Sequence, residues 1–404
     1  MCVTPGWASI VSSKSGNLSK RMNSTRPLKI LLGYSHYPYH FNVGAWVEAW
    51  LERLRAQGIA VDGFCLTLHP PGPWLDWPEL DARWRRGDPE LLGFYETLVR
   101  RLDHYDVFVN WNGINLHPEF VRQLPTFNVF GCFDDPELSE SLSKPVAAAY
   151  DLSMVGNAAE VETYRSWGVK NAHFWPLGFH VEDYDPSLTH EEILQGNRDV
   201  DVALLCERVS GWRAERLDRF AAAFPQGVFR GRGWPQGFLP EEERLPLYRR
   251  TKIGVNFHNS TGPINFRTYI LPANGVMQLC DNKAHLGNVY ELDQEVVGFD
   301  TVEEAIELCR YYLAHDDERR QIAAAGWTRA HRDYNEVAVF QRLINDVQQL
   351  QPAAPKRPTD VLEFLQAHQR RTAPLRGWHG VKNRLRPARQ KAQSVLKSLR
   401  GQKQ

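Results

Sequence analysis

Between His258 and Arg267 the chain gathers residues suited to holding a phosphate-bearing ligand. The run His258-Asn259-Ser260-Thr261-Gly262-Pro263-Ile264-Asn265 is made largely of small and polar residues, with Thr261 and Gly262 at its centre, so a ligand can approach the backbone closely. Asn265 is a fitting N-cap for the helix that follows, and Arg267 falls in that helix's first turn. A guanidinium beside the amide-rich start of a helix suits a diphosphate, which it grips bidentately. The plainer reading is a turn whose arginine pairs with an acidic neighbour. Asn256 and His258 end the preceding strand, where they either meet the same ligand or serve the fold. Arg213, with Arg216 as an almost equal candidate, follows the loop 207–211 and either brings a second cation to the place or solvates a helix face. The turn Gly231-Arg232-Gly233-Trp234 either sets the Gly233 backbone against a nucleobase or is a plain tight turn. It is too short for a dinucleotide fingerprint, and no GxGxxG occurs in the chain.

A second group lies near the amino terminus. The loop Tyr34-Ser35-His36-Tyr37-Pro38-Tyr39-His40-Phe41-Asn42 carries aromatic faces and hydrogen-bonding tips. Through His36, Tyr37 and His40 it suits a sugar or lipid-linked acceptor, unless the rings form only a structural cluster. Asp134 and Asp135 include a candidate general base, or else belong to a D-D-P turn; as a metal pair they are weak.

These residues need strand ends and helix starts to hold them, and the sequence supplies both. Short apolar runs over 28–33, 59–66, 106–110, 126–130, 151–155 and 172–175 read as buried parallel strands. Helical periods over 43–57 and 158–167 connect some of them. A less regular stretch, 176–198, reads as a linker. The alternation then restarts, with strands over 201–206, 227–231, 252–257, 276–280 and 295–299. Helices are expected over 212–224, 240–250, 266–274 (kinked at Pro272) and within 302–350. Alternation twice over means an α/β protein of two Rossmann-like, doubly wound domains facing each other across a cleft, with C-terminal helices and a basic tail. The expected limits are a disordered leader at 1–27, an acceptor domain at 28–180, a nucleotide domain at 181–350 and a partly helical tail at 351–404.

At 404 residues the chain is long enough for two cores. Its 48 basic and 48 acidic side chains cancel, and no apolar run approaches a membrane span. The balance hides an uneven spread: Arg376, Lys382, Arg384, Arg386, Arg389, Lys391, Lys397, Arg400 and Lys403 crowd one end without an acid. With Leu385, Ala388, Ala392, Val395, Leu396 and Leu399 at helical spacing, that end reads as a helix for an anionic membrane surface; RNA binding or simple disorder would also account for the charge. No nucleic-acid partner is expected. Six scattered cysteines without a CxxC pair, and the lack of a secretory h-region, point to the cytoplasm.

Past Tyr248 the residues resemble a known family. Tyr248-Arg249-Arg250-Thr251-Lys252-Ile253-Gly254-Val255-Asn256-Phe257-His258 is similar to the Y-x-x-S-K-I-x-L-N-x-H segment of the CgeB-like (spore maturation type) glycosyltransferases. Asn265-Phe266-Arg267-Thr268-Tyr269 resembles their N-x-R-x-F element, with Gly275 ending the helix. Glu295-Val296-Val297-Gly298-Phe299, Tyr311 to His315 and Ile322 to Gly326 continue the match. Phe133-Asp134-Asp135-Pro136 and Pro176-Leu177-Gly178 fit the amino-terminal half more loosely. The resemblance spans about 28–350. It implies a GT-B fold, a hexosyltransferase-like enzyme and a nucleoside-diphosphate-sugar donor, UDP- or GDP-linked. That donor is held by the second domain, Tyr269 included, with no cofactor and no obligatory metal. The implied acceptor is a glycan, lipid-linked molecule or protein, in keeping with a cell-envelope polysaccharide. One position departs: where the family usually has a glutamate expected to hold the donor ribose, this chain has Ile270, which accepts no hydrogen bond. A catalytically silent sugar-nucleotide-binding protein therefore stands as one alternative, and a GT-B sugar-nucleotide epimerase as a separate one.

Overall fold

The computed structural model describes residues 27–38, 42–112, 115–208, 212–262, 264–350 and 357–374. Two all-parallel sheets organise them. The first holds β1 (Ile30–Tyr34), β2 (Val61–Cys65), β3 (Val107–Trp111), β4 (Phe127–Cys132), β5 (Leu152–Val155) and β6 (Ala172–Phe174), in the order β2-β1-β3-β4-β5-β6. The second holds β7 (Val200–Leu205), β8 (Val228–Arg230), β9 (Thr251–Asn256), β10 (Met277–Cys280) and β11 (Val297–Gly298), in the order β11-β10-β9-β7-β8. In each sheet the second strand lies outside the first and the third returns on its other side. The order thus reverses once per domain, at β1/β3 and at β7/β9, and a crevice opens there beyond the strand ends. Central strands β1, β4 and β5 are buried along their whole length, which explains their continuous apolar runs.

The helices are α1 (Val43–Ala56), α2 (Trp77–Arg85), α3 (Pro89–Leu102), α4 (Pro118–Val121), α5 (Val161–Ser166), α6 (His190–Gln195), α7 (Trp212–Ala223), α8 (Glu241–Arg250), α9 (Arg267–Ala273), α10 (Lys283–Leu286), α11 (Val302–Ala314), α12 (Asp316–Asp333), α13 (Glu336–Gln349) and α14 (358–374). Each sheet is covered on both faces, giving four apolar clusters.

Three features differ from the expected limits. The stretch 176–198 is not a bare linker, because α6 forms there behind a Thr189–Glu192 capping box. Helix α13, placed with the second domain by sequence, crosses back. Its Val339, Phe340, Leu343 and Val347 pack with Ile30, Leu32 and Val47 of the first, and Glu336 pairs with Arg53 on α1 at 2.6 Å. The crossing is tight: Phe179 bridges Asn335, and a side chain at Gly178, where φ is +67°, would overlap the Tyr334 carbonyl. Third, the helical part of the expected tail, α14, docks on the first domain through Val361 and Leu365. The leader and the basic segment 376–404 lie outside the described residues.

Helices α2 and α3, with α14, enclose a ring stack that carries a pH dependence. His117 lies flat on Trp84 (4.9 Å between centroids) and Trp77 (5.5 Å), while His368 of α14 covers the other contact of Trp84 at 3.9 Å. Burial, partly opposed by Asp81, pushes His117 down from 6.5 to about 4. Between those values the unfolded chain holds the proton and the folded one does not. Stability is therefore full above about 6.5 and falls as pH drops toward 4, by on the order of 3 kcal/mol from this group. His117→Asn should flatten the fall in melting temperature across that window, leaving the share of His368, which burial also lowers. A variant that melts with the wild-type pH slope would acquit His117.

Candidate functional site

The crevice of the second sheet is lined by cations. Arg267, at the start of α9, reaches across the switch point: Nη1 donates to the Leu205 carbonyl at the end of β7 (3.2 Å) and Nη2 to the Phe257 carbonyl after β9 (3.5 Å). Its Nε donates to Asn256 Oδ1 at 3.1 Å. Arg213, in the first turn of α7, shares the Phe257 carbonyl at 3.0 Å and reaches the Glu207 carbonyl at 3.3 Å. Among the described residues neither guanidinium has a carboxylate within salt-bridge distance. Arg213 is 6% exposed and its Nε has no partner. Burial, with the Arg267 charge beside it, pulls its proton affinity below the ordinary value despite nearby Asp281 and Glu207. Carbonyl dipoles hold two adjacent like charges in place, and an anion is the partner that would relieve both. Arg216, one turn along α7, stands over the Phe257 ring at 5.4 Å, with Asp281 at 3.8 Å.

The structure brings Arg213, Arg267, Asn256, His258 and Asn265 together but sorts them into different layers. Asn256 is fully buried; its amide nitrogen bonds Asn265, Thr268 and Gln278, and its oxygen accepts from Asn265 and Arg267. It positions the arginine instead of facing a ligand. His258 is 1% exposed, with Nδ1 at 2.7 Å from Asp281 and Nε2 at 3.2 Å from Thr268 Oγ1. The expected donor contact is replaced by a sealed His–Asp pair, whose imidazole burial holds below its ordinary proton affinity. Cys280 lies within the same 4.8 Å group, so the cluster's polar atoms are spent on one another. Tyr269 is also misplaced by sequence: it is wholly buried against Tyr334, because α9 presses that face onto the core. Ile270, 7% exposed, is part of the same apolar cluster.

The N-cap of α9 falls one residue later than expected, on Phe266, while Asn265 Oδ1 accepts from Thr268 N at 3.1 Å from just outside the helix. The Thr268 amide is thereby taken, and the two guanidinium groups stand beside it as donors for a ligand. The loop before it meets the other domain. Asn157, after β5, donates to Ser260 Oγ (3.1 Å) and Thr261 Oγ1 (3.2 Å), and Thr261 donates to Glu160 at 2.6 Å. Any side chain at Gly262 would overlap the Asn157 amide, so glycine permits this approach. The two carboxyl edges thus face each other across a cleft, with Thr261 and Gly262 in the seam. Gly233 is exposed in a left-handed turn (φ +88°) beside the end of β7, tied there by Trp234 Nε1 on the Cys206 carbonyl at 2.9 Å.

On the first domain His36 is half-buried at the end of β1, its amide bonded to Thr67 Oγ1 at 2.9 Å, and Tyr37 packs on Trp74 at 5.1 Å. His40 lies outside the described residues. Asp135, expected as an alternative base, is 1% exposed and spent on Ser139 and Tyr164. Asp134 is half-buried, and burial raises its carboxyl above the ordinary range, with Asp135 adding to the rise. Sequence reading missed Trp111 and Asn112 at the end of β3; the signal was a strand closing on Asn110-Trp111-Asn112-Gly113 at the carboxyl edge.

Two doubly wound domains with opposed carboxyl edges define the GT-B class, and solved structures share the fold. The chain is similar to the sucrose-phosphate synthase of Thermosynechococcus elongatus (15% identity, 80% of this chain and 98% of that one, TM-score 0.57). It is also similar to a glycosyltransferase from Rickettsia africae (11%, 81% and 100%, 0.52), and to HepE of Anabaena in complex with UDP (13%, 80% and 100%, 0.51). At these identities the likeness shows the fold. Residues 211–345, which run from the start of α7 into α13 and include both arginines, match the model of the family described as glycosyl transferase-like. No curated protein matches the chain.

Proposed function

We propose that the chain is a glycosyltransferase, hexosyltransferase-like and of the CgeB-like kind. It moves a sugar from a nucleoside-diphosphate sugar, UDP- or GDP-linked, to a glycan, lipid-linked or protein acceptor. The observation that carries this reading is the pair Arg213 and Arg267, fixed by carbonyls at the β7/β9 switch point and lacking carboxylate partners among the described residues. The family match over 211–345 supports it, as does the fold shared with HepE, which has been solved with UDP and with UDP-glucose.

As the bond between sugar and diphosphate breaks, negative charge grows on the leaving oxygen. Two guanidinium groups already locked in place stabilise that charge without reorganising, so the reaction needs no obligatory metal or cofactor. Asp134, which follows β4 on the first domain and has its carboxyl raised by burial, takes the proton from the acceptor hydroxyl in this reading. No helix among the described residues is long and apolar enough to cross a membrane. The enzyme works in the cytoplasm, with the basic segment 376–404 held to the anionic inner face.

Incubation with UDP-, GDP- and dTDP-sugars should release nucleoside diphosphate from one of them, unaffected by EDTA. If none of the nucleoside diphosphates stabilises the protein and none is released, the reading fails. Ile270 favours a second reading, a sugar-nucleotide-binding protein without transfer, because that buried isoleucine offers the ribose no acceptor. Stabilisation by the nucleotide without release would select it.

A further inference from the structure

A row of aromatic rings lies on the first domain's side of the cleft. Trp111 ends β3 at the β1/β3 switch point. Trp46, from the first turn of α1, stacks on it at 6.1 Å and 23°, and Phe133, just after β4, meets it edge-on at 6.1 Å. All three are half-buried. At one end Trp46 abuts His180, where the chain leaves the first domain, at 4.7 Å. At the other the row reaches the seam: a side chain at Gly156 would touch both Phe133 and Ile264, just before Arg267. The row therefore runs from the interdomain crossing at His180 to the seam beside Ile264.

Polar atoms surround this row. Ser35 Oγ after β1, Trp50 Nε1 on α1 and Asn112 Oδ1 after β3 are buried and have no hydrogen-bond partner among the described residues. A buried polar atom left without a partner is unfavourable, so three around one switch point call for a ligand that supplies both donors and acceptors. Ring faces edged by hydrogen-bonding groups match a pyranose, whose C–H face lies on an indole while its hydroxyls point outward. A prenyl or acyl chain would cover the rings and leave all three polar atoms unmade.

We propose that Trp46, Trp111 and Phe133 form a saccharide subsite, and that the acceptor group is a sugar hydroxyl presented to Asp134. Its role as acceptor site rests on the transferase reading; its ability to bind sugar does not. The test follows tryptophan emission of the full-length protein during titration with methyl glucoside, methyl galactoside, methyl mannoside and N-acetylglucosamine. At least one sugar should give a saturable shift, weakened about tenfold in Trp111→Ala and less in Trp111→Phe. The thermal shift with UDP or GDP should be the same in both variants as in wild type. Ser35→Ala guards against misfolding of the tryptophan variant: its hydroxyl has no partner among the described residues, so the melting temperature should hold while sugar binding weakens severalfold. No saturable sugar response, or one indifferent to both Trp111→Ala and Ser35→Ala, overturns the proposal. Saturation by farnesyl phosphate in place of sugar overturns it too. A sugar response without any nucleotide shift supports the subsite and counts against the transferase reading instead.

Discussion

Arg267→Ala is expected to abolish the thermal shift given by the preferred nucleoside diphosphate and to lower transfer by about 10²–10³-fold. The side chain is half-buried, with its planar fork aimed by three acceptors, Asn256 Oδ1 and the carbonyls of Leu205 and Phe257. A diphosphate entering the crevice meets a donor already oriented, so little free energy is lost in ordering it. Removing it also leaves Arg213 alone to balance the phosphates. Arg267→Lys restores the charge without the fork and should recover only part of the binding, since a point charge cannot bond two oxygens in parallel. Combining Arg213→Ala with Arg267→Ala should cost less than the sum of the two, because both guanidinium groups act on one anion. Circular dichroism of each variant separates a lost ligand from a lost fold. An alanine variant that is stabilised by the nucleotide as much as wild type would take Arg267 out of the site.

The ground for that expectation was legible in the sequence in one respect and hidden in another. Alternating apolar runs disclosed both sheets, because parallel strands covered on two faces carry apolar residues at every position. Arg267 announced its place in the first turn, which follows from local spacing, whereas the cap expected at Asn265 falls on Phe266. The layer in which a side chain ends depends on its partners, and those are distant in sequence. His258 is sealed by Asp281, 23 residues on, and Asp135 by Tyr164, 29 residues on. Tyr269 and Ile270 lie on the face of α9 that packs against Tyr334 and its neighbours, which no local period could reveal in a seven-residue helix. The return of α13 escaped for the same reason: its apolar stripe fits either sheet, and the partners it finds, Ile30, Leu32, Val47 and Arg53, are distant in sequence. Segment 67–105 held too many tryptophans and prolines to read as the α2–α3 pair it forms.

Arg198→Leu should cost the second domain about 3–5 kcal/mol and lower its melting temperature by roughly 10 °C, with nucleotide binding intact. Arg198 is 5% exposed and has no acidic partner in salt-bridge range among the described residues. It bonds three carbonyls instead: Tyr248 at 2.8 Å, Thr251 at 2.7 Å and Asn274 at 3.0 Å. Tyr248 and Asn274 lie at the carboxyl ends of α8 and α9, where unpaired carbonyls concentrate negative potential, and Thr251 opens β9. Burial, then the nearby Arg319 charge, draws this guanidinium down to about 10, and it stays charged at neutral pH. Leucine would fill the space and strand three acceptors in a site that water reaches poorly. Arg198→Lys should lie between, since an ammonium can satisfy some of them but not in the same fixed plane. The position also makes the comparison with Arg267 informative. Arg198 precedes β7, at the amino edge of the second sheet, whereas Arg267 stands at the carboxyl edge. One substitution should therefore weaken the domain and spare the nucleotide shift, and the other should do the reverse. Equal loss of nucleotide shift in Arg198→Leu, measured well below its melting temperature, would mean that the two edges are not independent and that the anion site is not confined to the β7/β9 crevice.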